Sequence, residues 1–131
     1  MRLIHLSFLS LVDLKVIYSG RILFMFGFST VVVSGSSMDP AYRPGDWLLT
    51  RNLSGQEHNL KIGRVYLVQD PNRPGIKLLK RIKETRIEHG VKRYWVEGDN
   101  PLSEDSRSWG WIEGSQFLAK VLLKYKKGVN E

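Results

Sequence analysis

The alternation of apolar and polar residues predicts short strands separated by turns over most of the chain. The predicted strands cover residues 24–33, 47–50, 64–69, 76–83, 86–88 and 92–97, with 76–83 and 86–88 forming a pair. Glycine, proline, asparagine and aspartate, which favour turns, interrupt this series. Residues 116–125 fit either a last strand or a helix, because their periodicity does not separate the two. We therefore predict a mainly β fold, a compact irregular antiparallel barrel or sandwich.

The first 22 residues are apolar and differ from the rest of the chain. The longest apolar stretch without a charged residue, residues 22–33, is shorter than the ~20 residues that a membrane-spanning helix needs. No small-residue cleavage pattern follows, so we do not predict a cleaved leader. We expect residues 1–22 to form an amphipathic helix on the domain or membrane surface, or a poor anchor. Residues 23–131 are predicted to form one domain.

Composition narrows the chemistry without selecting a partner. The 20 basic residues exceed the 13 acidic ones in the 131-residue chain, which gives a formal charge of +7. Such a charge suits a nucleic acid, an anionic membrane or an acidic substrate. Cysteine is absent, which excludes disulfides and thiol nucleophiles. The histidines, His5, His58 and His89, lack metal-ligand spacing, so we predict no metal site.

A turn of small residues follows the first predicted strand, at residues 34–40. Within it, Ser37 is placed so that a rigid turn would leave its hydroxyl open to a cleft. The backbone N–H groups of such a turn point towards one place, as an oxyanion hole requires. Taken alone, this segment is better explained as an ordinary serine-rich turn.

A serine nucleophile needs a base, and Lys80 is the candidate. It lies among Leu78, Leu79 and Ile82, so an apolar environment is available. Burial disfavours the ammonium form and lowers the pKa of a lysine, which then serves as a base. The other explanation is a solvated basic strand, since further lysines and arginines are close in sequence.

The polar loop at residues 98–107 supplies a third set of groups. Asp105 and Arg107 are spaced to pair, Asp99 is spaced to reach a second base, and the Ser103 hydroxyl is suited to orient a lysine amine. A solvated loop is the alternative. The carboxylate spacing does not match an EF-hand, which argues against calcium.

In this order, the three segments resemble the type I signal peptidase family of Ser–Lys endopeptidases. The first reads Ser-Met-Asp-Pro from Ser37, followed by Gly-Asp at residues 45–46. The second reads Lys-Arg from Lys80, and the third reads Gly-Asp-Asn from Gly98 and Ser-Glu-Asp-Ser-Arg from Ser103. The resemblance covers roughly residues 30–125 and implies the fold of signal peptidases and repressor-type proteases.

The resemblance implies a role for each matching residue. Ser37 would be the nucleophile, Lys80 the base and Ser103 the hydrogen-bonding partner of the lysine amine. The supporting ion pairs would be Asp105–Arg107 and Asp99–Arg81. No cofactor is implied.

The resemblance also places an oxyanion and substrate-binding region around the nucleophile. The Ser37 N–H would be one donor, with Gly35, Ser36 and Met38 lining the region. Some family members have a serine two residues before the nucleophile as a second donor. This chain has Gly35 there, so that side-chain donor is absent.

Two departures point to a subgroup. Residues 82–85 read Ile-Lys-Glu-Thr where typical signal peptidases have Pro-Gly-Asp, and the short stretch before residue 98 leaves no room for a large accessory domain. Residues 70–75 and 98–101 are similar to the maturation proteases of nickel-type superoxide dismutase. This similarity implies a dismutase precursor as partner, with a leader peptide as the part removed.

Three alternatives remain at this stage. One is a general type I signal peptidase that cleaves exported preproteins, and one is a repressor-type self-cleaving domain. The third is a non-catalytic module that binds nucleic acid or lipid through basic residues, although we expect no nucleic acid. Its patch would consist of Lys83, Arg86, Lys92, Arg93 and residues 124–127. We expect a cytoplasmic location or peripheral membrane contact through the N-terminal segment.

Overall fold

The computed structural model describes residues 27–53 and 59–128, and within these residues seven strands form a single antiparallel sheet. The strands are β1 (Phe28–Val32), β2 (Trp47–Asn52), β3 (Val65–Gln69), β4 (Lys77–Glu88), β5 (Val91–Glu97), β6 (Ile112–Glu113) and β7 (Phe117–Lys126). Their order across the sheet is β1-β2-β7-β3-β4-β5-β6. A short helix, α1 (Ser106–Trp109), and a 3-10 turn (Gly114–Gln116) complete the described elements. The prediction of a mainly β fold is confirmed.

Three local predictions are settled by the strand bounds. The expected strand pair at residues 76–83 and 86–88 is wrong, because β4 runs without a break from Lys77 to Glu88. Its register against β5 shifts between Ile82 and Glu84, so an irregularity in the pairing lies where we placed a gap. The last segment is a strand rather than a helix. The polar loop at 98–108 contains the start of α1.

The N-terminal segment and its boundary at residues 22–23 lie outside the described residues. No helix among the described residues is long and apolar enough to cross a membrane.

The sheet separates two buried apolar clusters. The first cluster consists of Leu60, Tyr66, Val68, Ile82, Tyr94, Val96, Ile112 and Phe117. The second consists of Val33, Met38, Leu48, Val65, Leu79 and Val121. Alternate residues of a strand face opposite sides of a sheet, so Leu79 points to the second cluster and its neighbour Lys80 to the side of the first. Both faces of β4 are therefore buried at the centre of the strand.

Candidate active site

The candidate nucleophile lies in the loop that joins β1 to β2. Both ends of this loop are closed by backbone bonds, from the Val33 N–H to Asp46 O and from the Gly45 N–H to Val33 O, each at 2.8 Å. Met38 is fully buried in the second cluster and anchors the middle of the loop. Ser37, the residue before it, is half-buried. The turn is thus fixed by the core on one side while Ser37 keeps contact with solvent.

Gly35 and Ser36 lie on the exposed side of the same turn. Gly35 has a φ of +81°, a backbone conformation that L-residues with a side chain rarely adopt. A serine at this position would be strained in this backbone conformation. Ser36 contributes its carbonyl oxygen, which accepts from the Asp39 N–H at 3.1 Å.

A buried carboxylate holds the far end of the loop. Asp46 accepts from the Arg43 N–H at 2.8 Å and the Gly128 N–H at 2.8 Å. It also pairs with the Lys124 ammonium at 3.0 Å. Burial alone would raise the pKa of Asp46, but these hydrogen bonds and the Lys124 charge lower it to about 2. The loop is therefore tied to the end of β7 by an ionised group.

The candidate base is a buried lysine. Lys80 lies on β4 opposite Tyr66, with a relative exposure of 1%. Its Nζ atom is 5.9 Å from the centroid of the Trp109 ring, and no carboxylate of the described residues lies within the 4.0 Å of a salt bridge. Burial lowers the pKa of Lys80, and this effect outweighs the opposing charge of Asp105. The neutral form of the amine is thereby favoured relative to that of an ordinary lysine.

Asp105 organises the loop at residues 98–107. It is fully buried and accepts from the Gly98 N–H at 2.8 Å, the Arg107 N–H at 3.0 Å and Arg107 Nε at 2.9 Å. Burial would raise the pKa of this carboxyl, but the bonds from Arg107 and Gly98 lower it. Arg107 also donates to the carbonyl of Asn100 at 3.4 Å. The expected Asp105–Arg107 pair is thus present, and it closes the loop on itself.

A second ion pair joins this loop to β4. Arg81 Nε donates to Asp99 Oδ1 at 2.9 Å and Arg81 Nη2 to Asp99 Oδ2 at 2.7 Å, so the pair is bidentate. Arg81 Nη1 also donates to the Gly63 carbonyl at 2.8 Å. Because Arg81 follows Lys80 directly, the pair attaches the loop beside the candidate base.

The loop at 98–107 also reaches the nucleophile turn. The Asn100 N–H donates to Ser37 O at 3.0 Å, and Asn100 Nδ2 donates to Ser36 O at 3.1 Å. Gly98 lies so close that a Cβ atom there would be 2.5 Å from Ser37 O and 2.1 Å from Ser103 Oγ. The fold therefore brings the first and third sequence segments into direct contact.

Ser103 differs from the expectation. We expected its hydroxyl to bond the Lys80 amine, whereas Ser103 Oγ donates to Asn100 O at 2.6 Å and lies 3.3 Å from Asp105 Oδ2. Lys80 is not among its hydrogen-bond partners in the described part of the chain. The physical reason is local: the carbonyl of a residue three positions earlier is within reach of this rotamer.

Sequence reasoning missed two residues of this site. Asn100 was only one letter of a motif, yet it makes the bonds that join the third segment to the first. Trp109 was assigned no role from the sequence, but the centroid of its ring lies 5.9 Å from the Lys80 Nζ atom. A groove beside the site is lined by Pro40, Ala41, Lys83, Glu97, Gly98, Asp99, Pro101 and Arg107. Neither Ser37 nor Lys80 lines it.

Three basic residues in the patch of the binding-module alternative form internal ion pairs. Arg86 pairs with Glu88, and Arg93 lies 3.5 Å from Glu113. Lys124 is bound to Asp46, as described above. Across residues 27–53 and 59–128, no group of three or more histidine and carboxylate side chains is arranged to hold a metal ion.

Comparison with known proteins identifies the family of the chain. A family model for the signal peptidases, peptidase S26, matches residues 6–85. The mitochondrial inner membrane protease subunit 1 of Xenopus tropicalis is 28% identical over 113 residues, which cover 72% of this chain and 66% of that protein. The chain thus spans slightly less than two thirds of this relative's length. Because the family match extends over more than half of the sequence, the chain belongs to the signal peptidase family, peptidase S26.

Proposed function

We propose that this protein is a serine endopeptidase that removes leader peptides, with Ser37 as nucleophile and Lys80 as general base. The observation that carries the proposal is the burial of the Lys80 amine without a carboxylate partner in the described residues. The residues next to the two groups, Met38 and Leu79, pack in the same buried cluster. Family membership supports a peptidase, and the named dyad is our assignment.

The reaction is an acyl transfer. Neutral Lys80 takes the proton of Ser37 Oγ while that oxygen attacks the scissile carbonyl carbon. The resulting oxyanion is stabilised by the Ser37 N–H, and the Lys80 ammonium then protonates the leaving amine as the C–N bond breaks. A water molecule, deprotonated by Lys80, hydrolyses the acyl-enzyme and restores Ser37. The rate rises with pH, because only the neutral amine acts as base.

The remaining predicted residues support this dyad in the proposal. The ion pair between Arg81 and Asp99 holds the loop against β4, and Asp105 with Arg107 holds the loop's own shape. Ser103 would orient the Lys80 amine as a hydrogen-bond acceptor, because its hydroxyl hydrogen is donated to the Asn100 carbonyl. In the proposal, the backbone at Gly35, Ser36 and Met38 faces the substrate carbonyl.

Paired substitutions test the dyad. Purified protein is incubated with a leader-bearing precursor at mildly alkaline pH, and intact mass identifies the new N-terminus. Ser37→Ala and Lys80→Ala are expected to abolish cleavage, while Lys83→Ala, an exposed lysine on the same strand, retains it. Cleavage by folded Ser37→Ala protein at the wild-type rate would contradict the assignment.

The substrate is a finer proposal. The similarity of residues 70–75 and 98–101 to the maturation proteases of nickel-type superoxide dismutase supports the precursor of such a dismutase as the partner. The name of the relative, a mitochondrial inner membrane protease subunit, favours a general leader peptidase equally well. A dismutase precursor and an exported preprotein are therefore each incubated with wild-type protein and with Lys80→Ala. Cleavage of an exported preprotein alone would replace the dismutase proposal and leave the dyad intact.

The location is tested separately from the substrate. We propose cytoplasmic protein with peripheral membrane contact, in keeping with a relative named for a membrane protease. Carbonate washing of a membrane fraction is expected to release such a protein. Retention after the wash would favour an anchored, general signal peptidase.

A further inference from the structure

We propose that Asn100 is a positioning residue that fixes the direction of the Ser37 N–H, an inference that rests on the proposed function. Asn100 bonds two consecutive carbonyls of the nucleophile turn. Its backbone N–H donates to Ser37 O at 3.0 Å, and its side-chain Nδ2 donates to Ser36 O at 3.1 Å. One residue thus holds the peptide groups on both sides of Ser37.

The planarity of the peptide bond converts these contacts into an orientation. A carbonyl oxygen and the N–H of the next residue lie in one plane and point in opposite directions. The bond from Asn100 to Ser36 O, together with the one from the Asp39 N–H, therefore holds the direction of the Ser37 N–H, and the bond to Ser37 O holds that of the Met38 N–H. Neither N–H donates to an acceptor within residues 27–53 and 59–128. Both point away from the loop at 98–107 and are available to a developing oxyanion.

Asn100 is itself held by the rest of its loop. Its carbonyl accepts from Ser103 Oγ at 2.6 Å and from Arg107 Nη2 at 3.4 Å, and its Oδ1 accepts from the Leu102 N–H at 3.0 Å. The missing side chain at Gly98 leaves room for this approach. The nucleophile turn is consequently connected to Asp105 through a continuous set of bonds.

The expected effect is on turnover rather than on binding. Donors that strengthen their bond only in the transition state change kcat, whereas uniform binding changes KM. Removing an oxyanion donor costs about 100- to 1,000-fold in kcat, so a donor that is present but poorly oriented is expected to cost roughly 10- to 100-fold.

Two substitutions and one control separate orientation from loop structure. Asn100→Asp keeps an acceptor for the Leu102 N–H and loses only the donor to Ser36 O, whereas Asn100→Ala loses both. Asn72→Ala, the same change at an exposed asparagine of the β3–β4 turn, is the control. The first readout needs no substrate: ¹⁵N relaxation of the Ser37 and Met38 amides. The order parameter of the Ser37 amide is expected to fall from about 0.85 to below about 0.6 in both Asn100 variants. The Met38 amide is an internal reference, because the backbone N–H of residue 100 still donates to Ser37 O in both variants.

The second readout is the cleavage of a fluorogenic peptide with an Ala-x-Ala junction, of the kind found before leader cleavage sites. The rate is measured on the alkaline plateau, where a charge introduced near Lys80 no longer affects its protonation. Both Asn100 variants are expected to lose roughly 10- to 100-fold in kcat with KM changed less than about threefold. Asn72→Ala is expected to match wild type.

The outcomes distinguish this inference from the proposed function. An unchanged order parameter of the Ser37 amide in folded Asn100→Asp protein, or a loosened Ser37 amide with wild-type kcat, would overturn the positioning role. Wild-type behaviour of Asn100→Asp together with loss in Asn100→Ala would overturn it too, since only the loop turn would then matter. If wild type does not cleave the peptide but the Ser37 amide loosens in the variants, the orientation by Asn100 stands and the proposed peptidase specificity fails.

Discussion

Gly98 and Ser103 approach each other so closely that a Cβ atom at Gly98 would lie 2.1 Å from Ser103 Oγ and 2.8 Å from its Cβ. The same added atom would lie 2.5 Å from the backbone oxygen of Ser37. One missing side chain therefore allows the loop at 98–107 to fold against the nucleophile turn. Glycine is needed at position 98 because there is no room for a Cβ atom. Backbone conformation is not the reason, since Gly98 does not have a positive φ.

We expect Gly98→Ala to destabilise the protein and to inactivate it. A serine side chain could turn away, but the Ser37 oxygen belongs to the backbone and could only move with its turn. Overpacking of this kind costs about 1–3 kcal/mol or more of unfolding free energy. Urea unfolding measures that loss, and cleavage of a leader peptide measures the effect on Ser37.

A second substitution identifies which contact dominates. Ser103→Ala in the Gly98→Ala background removes the clash with Oγ and leaves those with Ser37 O and with the Cβ of residue 103. Only part of the stability is then expected to return, and activity is expected to remain low. Full recovery of both would show that the side-chain contact, rather than the nucleophile turn, made glycine necessary.

Arg107 sets the protonation of the proposed base together with Asp105. Burial lowers the pKa of Lys80 most, the Asp105 charge raises it, and the Arg107 charge lowers it further. Arg107→Gln removes the cation and leaves the Asp105 charge less compensated. The pKa of Lys80 should therefore rise, and the ascending limb of the rate against pH should move to higher pH.

The measurement is kcat/KM of folded Arg107→Gln across the neutral to alkaline range, compared with Arg86→Gln. Arg86 pairs with Glu88 on β4, and neither charge is among the causes of the Lys80 pKa shift, so this variant is a control for the loss of an arginine from an ion pair. A limb that stays at its wild-type position, or moves to lower pH, would contradict the role of Arg107.

Much of the site's order was predictable from the sequence, because it depends on which residues follow which strands. Ser37 follows the first strand and Lys80 lies within an apolar one, and these positions are local properties of the chain. The pairing of Asp105 with Arg107 was predictable for the same reason, since the two residues are only two positions apart.

What the sequence did not predict depends on contacts between distant segments. The hydroxyl of Ser103 donates to the nearby Asn100 carbonyl rather than bonding Lys80. Side-chain rotamers decide between these partners, and the sequence pattern does not specify the rotamers. The contacts of Asn100 with the nucleophile turn span more than sixty residues and leave no trace in local periodicity. The continuity of β4 was missed because Glu84 and Thr85 resemble a turn, although pairing with β5 stabilises them as strand.

Asp46 is expected to make folding sensitive to acid. Its folded pKa of about 2 lies below the ordinary value of 3.8, so the ionised group stabilises the folded state. This contribution is complete above pH 3.8 and is lost as the pH falls from 3.8 towards about 2. Asp46→Asn removes the charge and leaves Lys124 without its carboxylate partner, which should cost about 1–3 kcal/mol at neutral pH.

Urea unfolding at neutral pH and in that acid window tests this linkage. The difference between wild type and Asp46→Asn should shrink as the pH falls. Asp39→Asn, an exposed carboxylate of the same loop, should behave like wild type throughout. A difference that stays constant with pH would assign the effect of Asp46→Asn to packing and not to its ionisation.

Lys80 is expected to reduce the stability of the fold that it serves. A buried amine without a carboxylate partner among the described residues costs free energy, and methionine has a similar length without the polar group. Lys80→Met should therefore abolish cleavage and raise the unfolding free energy at neutral pH by about 1–3 kcal/mol.

Because burial lowers the pKa of Lys80 below its ordinary 10.5, the unfolded chain binds more protons than the folded one between these two values. Wild-type stability should then rise with pH across this window, and the advantage of Lys80→Met should decrease towards pH 10.5. Thermal unfolding of both proteins at neutral and alkaline pH measures this, with Lys83→Met as the exposed control. A Lys80→Met protein less stable than wild type at neutral pH would mean that the amine has a stabilising partner and is not held neutral as a base.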